Sequence, residues 1–247
     1  MSGTPPQNPY APPSDFGILP VPPVAPGALG GPRPWDVGEV LSVAWGEFKK
    51  QWVVLVLVVF LPALLRGIPQ SIPSLLTLTR VVEPDSVEYF GVLGVCSLIG
   101  MLIFTFFQVG SLRIFLAVAR GQQAELGTLF SGADRFLALL ATFVIQMLAV
   151  LIASLFLIVP GVILGIGLTL SQFYCVDGRL GPIESLRASW DATQGQKGKI
   201  FLFYMLAVCV IIAGIAACCI GVYPALSVVW VALSIVYVRL SGRNAAA

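Results

Sequence analysis

Histidine is absent from the 247-residue sequence, and charged residues make up only 11% of it. The chain therefore lacks the imidazole that most often serves as a general base or metal ligand. Its 14 basic and 12 acidic residues give a net charge of +2, which argues against a nucleic-acid binder held by phosphate contacts. Hydrophobic residues make up 57% of the chain, whereas a soluble domain has roughly 45–50%. The sequence predicts an integral membrane protein, disfavours an enzyme, and suggests no cofactor or metal site.

Residues 1–34 differ in composition from everything that follows. They hold 11 of the 18 prolines, and their only charges are Asp15 and Arg33. Proline fixes φ and removes backbone donors, so we expect a disordered, extended cytoplasmic tail. The PxxP string Pro20–Pro23 fits an SH3- or WW-like groove, which leaves two alternatives open: a plain tether, or an arm that binds a protein partner.

Long apolar runs fill the rest of the chain. A helix needs about 20 apolar residues to cross a bilayer. The uncharged run Phe136–Val176 is long enough to cross twice, and we expect the chain to reverse at Pro160-Gly161. The run Ile200–Val238 is also long enough to cross twice, and we expect its reversal at Gly221 and Pro224. With Trp52–Ile68 and Tyr89–Ala119, the count is six spans. We predict an all-α membrane protein of transmembrane hairpins, with a six-span domain over residues 35–240 and a short cytoplasmic tail over residues 241–247.

The basic residues predict the orientation of these spans. With the N-terminus placed in the cytoplasm, twelve Lys and Arg residues fall on the inner side, and only Arg66 and Arg80 fall on the outer side. Cytoplasmic loops carry this excess in multi-pass proteins. We expect a cell-membrane protein, most simply of a bacterial inner membrane, with both termini in the cytoplasm.

Amphipathic segments precede the hairpins. Val37, Val40, Ala44 and Phe48 recur at helical spacing after the start signal Pro34–Asp36. The segment 184–190 repeats the Glu, Leu and Trp of segment 39–45 at the same offsets, and segment 126–136 repeats them loosely. We expect interfacial helices here, and either a threefold repeat or a chance likeness.

The segment 159–195 carries a family likeness. Val159-Pro160-Gly161 is followed by Gly181-Pro182-Ile183-Glu184-Ser185-Leu186-Arg187-Ala188-Ser189-Trp190-Asp191-Ala192-Thr193-Gln194-Gly195. This pattern resembles the bacterial glycerophosphoryl diester phosphodiesterase membrane-domain family and related six-span proteins. The sequence departs from the family pattern at Ser185, where the family usually has Ala, and at residues 194–197, which are usually more basic. The resemblance implies an accessory membrane module without a hydrolase domain.

Candidate contact residues follow from polarity in apolar surroundings. Charges near hydrocarbon are costly, so they either snorkel or bind lipid phosphate. The candidate lipid or partner contacts are Arg66, Arg113, Arg187, Trp190, Lys197 and Lys199. The candidate intramembrane polar contacts are Gln108, Gln146 and Gln172, which suit either interhelical hydrogen bonding or a transport path. On α-helical spacing, Ile183, Leu186 and Trp190 form an expected apolar stripe.

The preferred function is a non-enzymatic scaffold or regulatory module that acts on membrane lipids or partner proteins. The alternative is a small transporter or channel subunit. Self-association into a homo-oligomer stays open in both interpretations. The absence of any Asp or Glu from the predicted spans weakens the transporter, since no carboxylate could relay protons or sodium.

Overall fold

The computed structural model describes residues 35–83, 86–217 and 221–242. All regular elements in these ranges are helical, and six spans are long and apolar enough to cross a membrane, which confirms the predicted fold class. The helices are α1 Val37–Lys50, α2 Trp52–Leu78, α3 Val87–Ala119, α4 Phe136–Phe156, α5 Ile158–Gly167, α6 Ser171–Asp177, α7 Pro182–Thr193, α8 Lys197–Ala217 and α9 Val222–Ser241. A five-residue 3-10 turn, Leu126–Phe130, precedes α4.

The predictions for the tail over residues 1–34, including Pro20–Pro23, lie outside the described residues, as does most of the predicted C-terminal tail. Helix α9 closes at Ser241, and Gly242 follows with φ +65°, a left-handed value that glycine adopts without strain.

Helix α1 starts where the sequence predicts. The Asp36 carboxylate accepts a hydrogen bond from Gly38 N at 2.9 Å and so caps the first turn. Val37, Val40, Ala44 and Phe48 form the buried face, mainly against α9, while Trp45 is about half exposed. The predicted amphipathic helix is confirmed.

Helix α2 is longer than predicted, because it continues ten residues past Ile68 to Leu78. Pro62, Pro69 and Pro73 remain inside it, all on its buried side. A proline leaves the carbonyl four residues earlier without its helical donor, and neighbouring hydroxyls can replace that donor within a membrane. The Ser111 hydroxyl lies 3.4 Å from Val58 O, the carbonyl that Pro62 cannot serve.

The hairpin between the third and fourth spans reverses at Leu157, so the predicted reversal at Pro160-Gly161 is wrong by three residues. Leu157 is extended, at φ −161° and ψ 141°. Pro160 lies in the first turn of α5, where its missing N–H costs no hydrogen bond. A side chain at Gly161 would run into Ser154, so this glycine allows the close approach of α4 and α5.

Helix α9 lies at the centre of the bundle and contacts α1, α2, α3 and α8. Its hydroxyls bridge to carbonyls of its neighbours: Ser227 donates to Leu55 O at 3.0 Å, and Ser234 donates to Phe115 O at 3.0 Å. Small polar side chains of this kind let transmembrane helices pack closely. Tyr237, in the same helix, is fully buried.

The three proposed repeat units begin differently. The first and third start with the helices α1 and α7, but the second starts with the short 3-10 turn Leu126–Phe130. The likeness between segments 39–45 and 184–190 thus corresponds to helix in both places. The looser match at 126–136 does not form a comparable helix.

Candidate functional site

One end of the bundle gathers the charges. The charges lie on helix α1, the last turns of α3 and α9, the 3-10 turn, α7, the first turn of α8 and the loops that adjoin these elements. We call this end of the bundle the α1 end. The Arg239 guanidinium donates to the Glu39 carboxylate at 2.7 Å and joins α9 to α1. This hydrogen bond, helped by the charge of Arg239, holds the pKa of Glu39 below its ordinary value. In the described ranges, no three Cys, Asp or Glu side chains gather as a metal-ligand set.

Arg113 holds the loop that follows the 3-10 turn. Its guanidinium donates to Ser131 O at 2.7 Å and to the Asp134 carboxylate at 2.6 Å. Partial burial raises the pKa of Asp134, but the hydrogen bond and charge of Arg113 outweigh it, and the pKa lies below its ordinary value. Gly110 lets this loop approach closely, since a Cβ there would meet the Leu129 backbone at 2.6 Å. Arg113 therefore has protein partners, and lipid binding by it stays a prediction.

Arg120, Asp177 and Tyr237 form a polar contact at the ends of three helices. The Asp177 carboxylate accepts from the Arg120 guanidinium at 2.7 Å and from the Tyr237 hydroxyl at 2.9 Å. Only 13% of the Asp177 side chain is exposed. A buried carboxylate needs such partners, so this contact fixes α3, α6 and α9 relative to one another.

The fourth span is broken, which the sequence did not indicate. Residues 168–170 separate α5 from α6, and α7 packs beside the break. Ser189 donates to Gly167 O at 2.8 Å and accepts from Leu170 N at 3.1 Å. Thr193 also donates to Gly167 O, at 3.2 Å. These hydroxyls satisfy the backbone groups that the break exposes.

The expected stripe of α7 is wrong in part. Leu186 is buried, but Ile183 is 59% exposed, and Ser185, Ser189 and Thr193 form the rest of the buried face. The break in the fourth span presents polar backbone, so hydroxyls pack against it better than a bulky apolar side chain would. Trp190 is half-buried against Gly167.

The remaining basic candidates occupy separate places. Lys197 lies over the Trp190 ring, 3.3 Å from its centroid, and Lys199 donates to Trp35 O at 3.3 Å. Arg187 is exposed on α7. Arg66 lies roughly 20 Å from the start of α2, near the middle of the helix. The sequence predicts a span that ends at Ile68, which would place Arg66 near its end. Its guanidinium stands 5.2 Å from the centroid of the Phe104 ring.

Each of the three glutamines makes a polar contact with another helix. Gln108 Nε2 lies 3.4 Å from Gln172 Oε1, which joins α3 to α6. Gln146 accepts a hydrogen bond from Ser171 at 2.9 Å, which joins α4 to α6. All three amides therefore meet at α6, immediately after the break in the fourth span.

A cleft at the junction of α1 and α2 escaped the sequence reasoning. It encloses about 610 Å³ and is lined by Glu47, Lys50, Gln51, Trp52, Val53, Val54, Gly121, Gln123 and Ala124. We call it the elbow cleft. Gln51 builds it by accepting from Ala124 N at 2.5 Å and donating to Gln122 O at 3.4 Å. In the sequence, the junction of α1 and α2 is marked by the change from the polar residues Lys49-Lys50-Gln51 to an apolar run. The loop over residues 121–124 that completes the cleft is remote in the chain, so the sequence does not indicate it.

Comparison with known proteins gives distant relatives only. The chain is 24% identical, over 228 aligned residues, to an uncharacterised protein of Mycobacterium bovis and to one of Mycobacterium tuberculosis. Each match covers 84% of this chain and 69% of the relative. No established protein family matches the chain, and no solved structure matches it.

Proposed function

We propose that this protein is a non-enzymatic membrane module that binds phospholipid headgroups at its α1 end. The observation that supports this function is the elbow cleft, which combines opposite charges with an apolar wall at the start of a membrane span. An amphipathic helix that leads into a span places their junction in the headgroup zone.

The charges of the elbow cleft suit a zwitterionic headgroup. Lys50 Nζ and the Glu47 carboxylate lie 2.6 Å apart, and 65% of the Lys50 side chain is exposed. A phosphate would pair with Lys50, and the ammonium of a phosphatidylethanolamine would pair with Glu47. Trp52 and Val53, about half exposed at the same place, offer contact for the glycerol and upper acyl chains.

Lipid retained after purification tests this function. Lys50→Gln should lower the phosphatidylethanolamine that co-purifies per protein in mild detergent, measured by mass spectrometry. Lys49→Gln is the matched control, because Lys49 is the adjacent lysine and does not line the cleft. Equal lipid content in both variants and the unchanged protein would refute a headgroup site at the elbow cleft.

The broken fourth span favours a transporter as the second candidate. Transport sites are commonly built where a transmembrane helix is interrupted and its backbone lines a cavity. Here the break at residues 168–170 lies beside the three paired glutamines. If the interior carries a polar path, cysteines placed at Gln108 and Gln172 should react with a water-soluble thiol reagent; the membrane module predicts that they stay unreactive.

We further infer that the α1 end faces the cytoplasm of a bacterial cell, with both termini on that side of the inner membrane. The support is the charge distribution: ten of the twelve inner-side basic residues lie in the described ranges, and all ten belong to the α1 end. The likeness of segment 159–195 to the phosphodiesterase membrane-domain family stays a prediction, and it agrees with an accessory role for the module.

A further inference from the structure

A second cavity lies within the membrane-spanning part of the bundle. It encloses about 190 Å³ and is lined by Phe104, Thr105, Gln108, Leu139, Phe143, Gln172 and Trp230. We call it the amide pocket. Phe104 and Phe143 are half-buried, so the pocket opens between α3 and α4 toward the lipid-facing surface. None of its lining residues carries a charge.

The two amides in this pocket have unused hydrogen-bonding capacity. A glutamine side chain offers two N–H donors and an oxygen that accepts two bonds. The contact between Gln108 and Gln172 is long, at 3.4 Å, and it is the only one that either amide makes among the described residues. In the described part of the chain Thr105 makes no hydrogen bond with either amide, and its hydroxyl donates to Met101 O in its own helix. Both N–H groups of Gln172 therefore remain available to an acceptor.

Apolar surroundings make such donors costly to leave unpaired, because an amide N–H away from water loses its hydrogen bonds to solvent and gains none in return. Hydrocarbon tails offer no acceptor, whereas a carbonyl oxygen offers one without bringing a charge into the bilayer. The neutral lining disfavours an ionic ligand for the same reason.

The walls and size of the pocket define the rest of the ligand. Phe143 and Trp230 present aromatic surface, and Trp230 is itself held by stacking on Phe115 at 6.0 Å. A volume of about 190 Å³ is below that of a pocket for a whole drug-sized molecule. The pocket therefore suits the polar head of a lipid-soluble molecule whose tail extends into the bilayer.

We propose that the amide pocket binds an uncharged, lipid-soluble carbonyl compound, with Gln172 donating to the carbonyl oxygen. Two sources share this chemistry: the ring of a quinone and the ester of a glycerolipid. The site is independent of the elbow cleft, because the two share no lining residue. Lys50→Gln should therefore leave binding at the amide pocket unchanged.

The full chain, purified in detergent, is titrated with three probes: decyl-1,4-benzoquinone, 1,2-dioctanoylglycerol and decylbenzene, which has a tail and ring but no carbonyl. Binding is measured as the rise in the thermal unfolding midpoint with probe concentration. We expect a carbonyl probe to bind and decylbenzene to have no effect. Preference for the quinone or for the glycerolipid identifies the source.

Gln172→Leu should weaken binding of the preferred probe at least tenfold, and Gln108→Leu provides a second test if the first variant folds poorly. Gln146→Leu is the matched control, since it removes a partly buried amide on a neighbouring helix that does not line the pocket. The proposal is overturned if no carbonyl probe binds, if decylbenzene binds as well as they do, or if the Gln146 variant loses as much affinity as the pocket variants.

Discussion

The Trp190 ring packs directly against Gly167, which has no side chain, so a smaller residue at position 190 would lose this contact. A Cβ at Gly167 would come within 2.6 Å of ring carbon Cζ3, so the indole fills the space that this glycine leaves. Trp190→Ala should lower the free energy of unfolding by about 2–3 kcal/mol through lost apolar burial. The measurement is chemical or thermal unfolding in detergent.

Arg187→Ala is the control for that change. Arg187 lies on the same helix and is exposed, so its removal should change stability by less than about 1 kcal/mol. Equal, negligible effects of the two substitutions would mean that α7 does not pack against the bundle in solution. The contacts of Ser189 and Thr193 with Gly167 would then be lost as well.

The contact between Arg113 and Asp134 predicts a pH dependence. Because the folded state lowers the pKa of Asp134, the ion pair stabilises the fold above the ordinary aspartate pKa of about 3.9 and loses its effect as the pH falls below it. Asp134→Asn should therefore be less stable than the unchanged protein at neutral pH, by under about 1 kcal/mol because 53% of the Asp134 side chain is exposed.

Thermal midpoints from pH 7 down to pH 3 check this prediction, and the gap between the two proteins should narrow toward the acid end. Asp191→Asn is the control, since Asp191 is exposed and forms no salt bridge in the described part of the chain. A gap that stays constant with pH would show that the two side chains do not interact as ions.

At the scale of elements, the α4–α5 hairpin depends on one glycine of a pair. Gly161 and Gly165 form a GxxxG pattern, but only Gly161 faces a neighbour, since a Cβ there would lie 2.9 Å from Ser154 Cα. Gly161→Ala should destabilise the protein by about 1–3 kcal/mol through overpacking. Unfolding measurements on the purified protein give the change directly.

Gly165→Ala should change the stability of the protein in the opposite direction. No atom lies within 4 Å of a Cβ at Gly165, so alanine there should stabilise α5 by up to about 1 kcal/mol through helix propensity. If both variants lose stability equally, the close approach of α4 and α5 at Gly161 is wrong. The pattern alone could not separate the two glycines, because it does not say which helix face meets a partner.

At the scale of the whole molecule, the charge distribution predicts sidedness. In intact bacterial cells expressing variants without the five native cysteines, an impermeant thiol reagent should label a cysteine at Glu83. It should spare cysteines at Gln123 and Gln196, which belong to the α1 end. The reverse pattern would place the α1 end outside the cell and contradict the proposed orientation.

The number of spans, the start of α1 and the paired glutamines could all be predicted from the sequence, because each depends on local composition. About 20 apolar residues must cross the bilayer as helix whatever surrounds them, and Asp36 caps a helix through its own neighbours. A polar contact with another helix stabilises an amide in hydrocarbon, so the sequence predicts polar contacts for Gln108, Gln146 and Gln172.

Only the tertiary structure decided how far α2 continues through its prolines, where the fourth span breaks, and which face of α7 is buried. Each depends on groups remote in sequence that replace a lost hydrogen bond: Ser111 lies near Val58 O, and Ser189 serves Gly167 O and Leu170 N. The elbow cleft likewise needs residues 121–124 to face Gln51. Local sequence sets the cost of an unpaired backbone group, but only packing determines whether a partner is within reach.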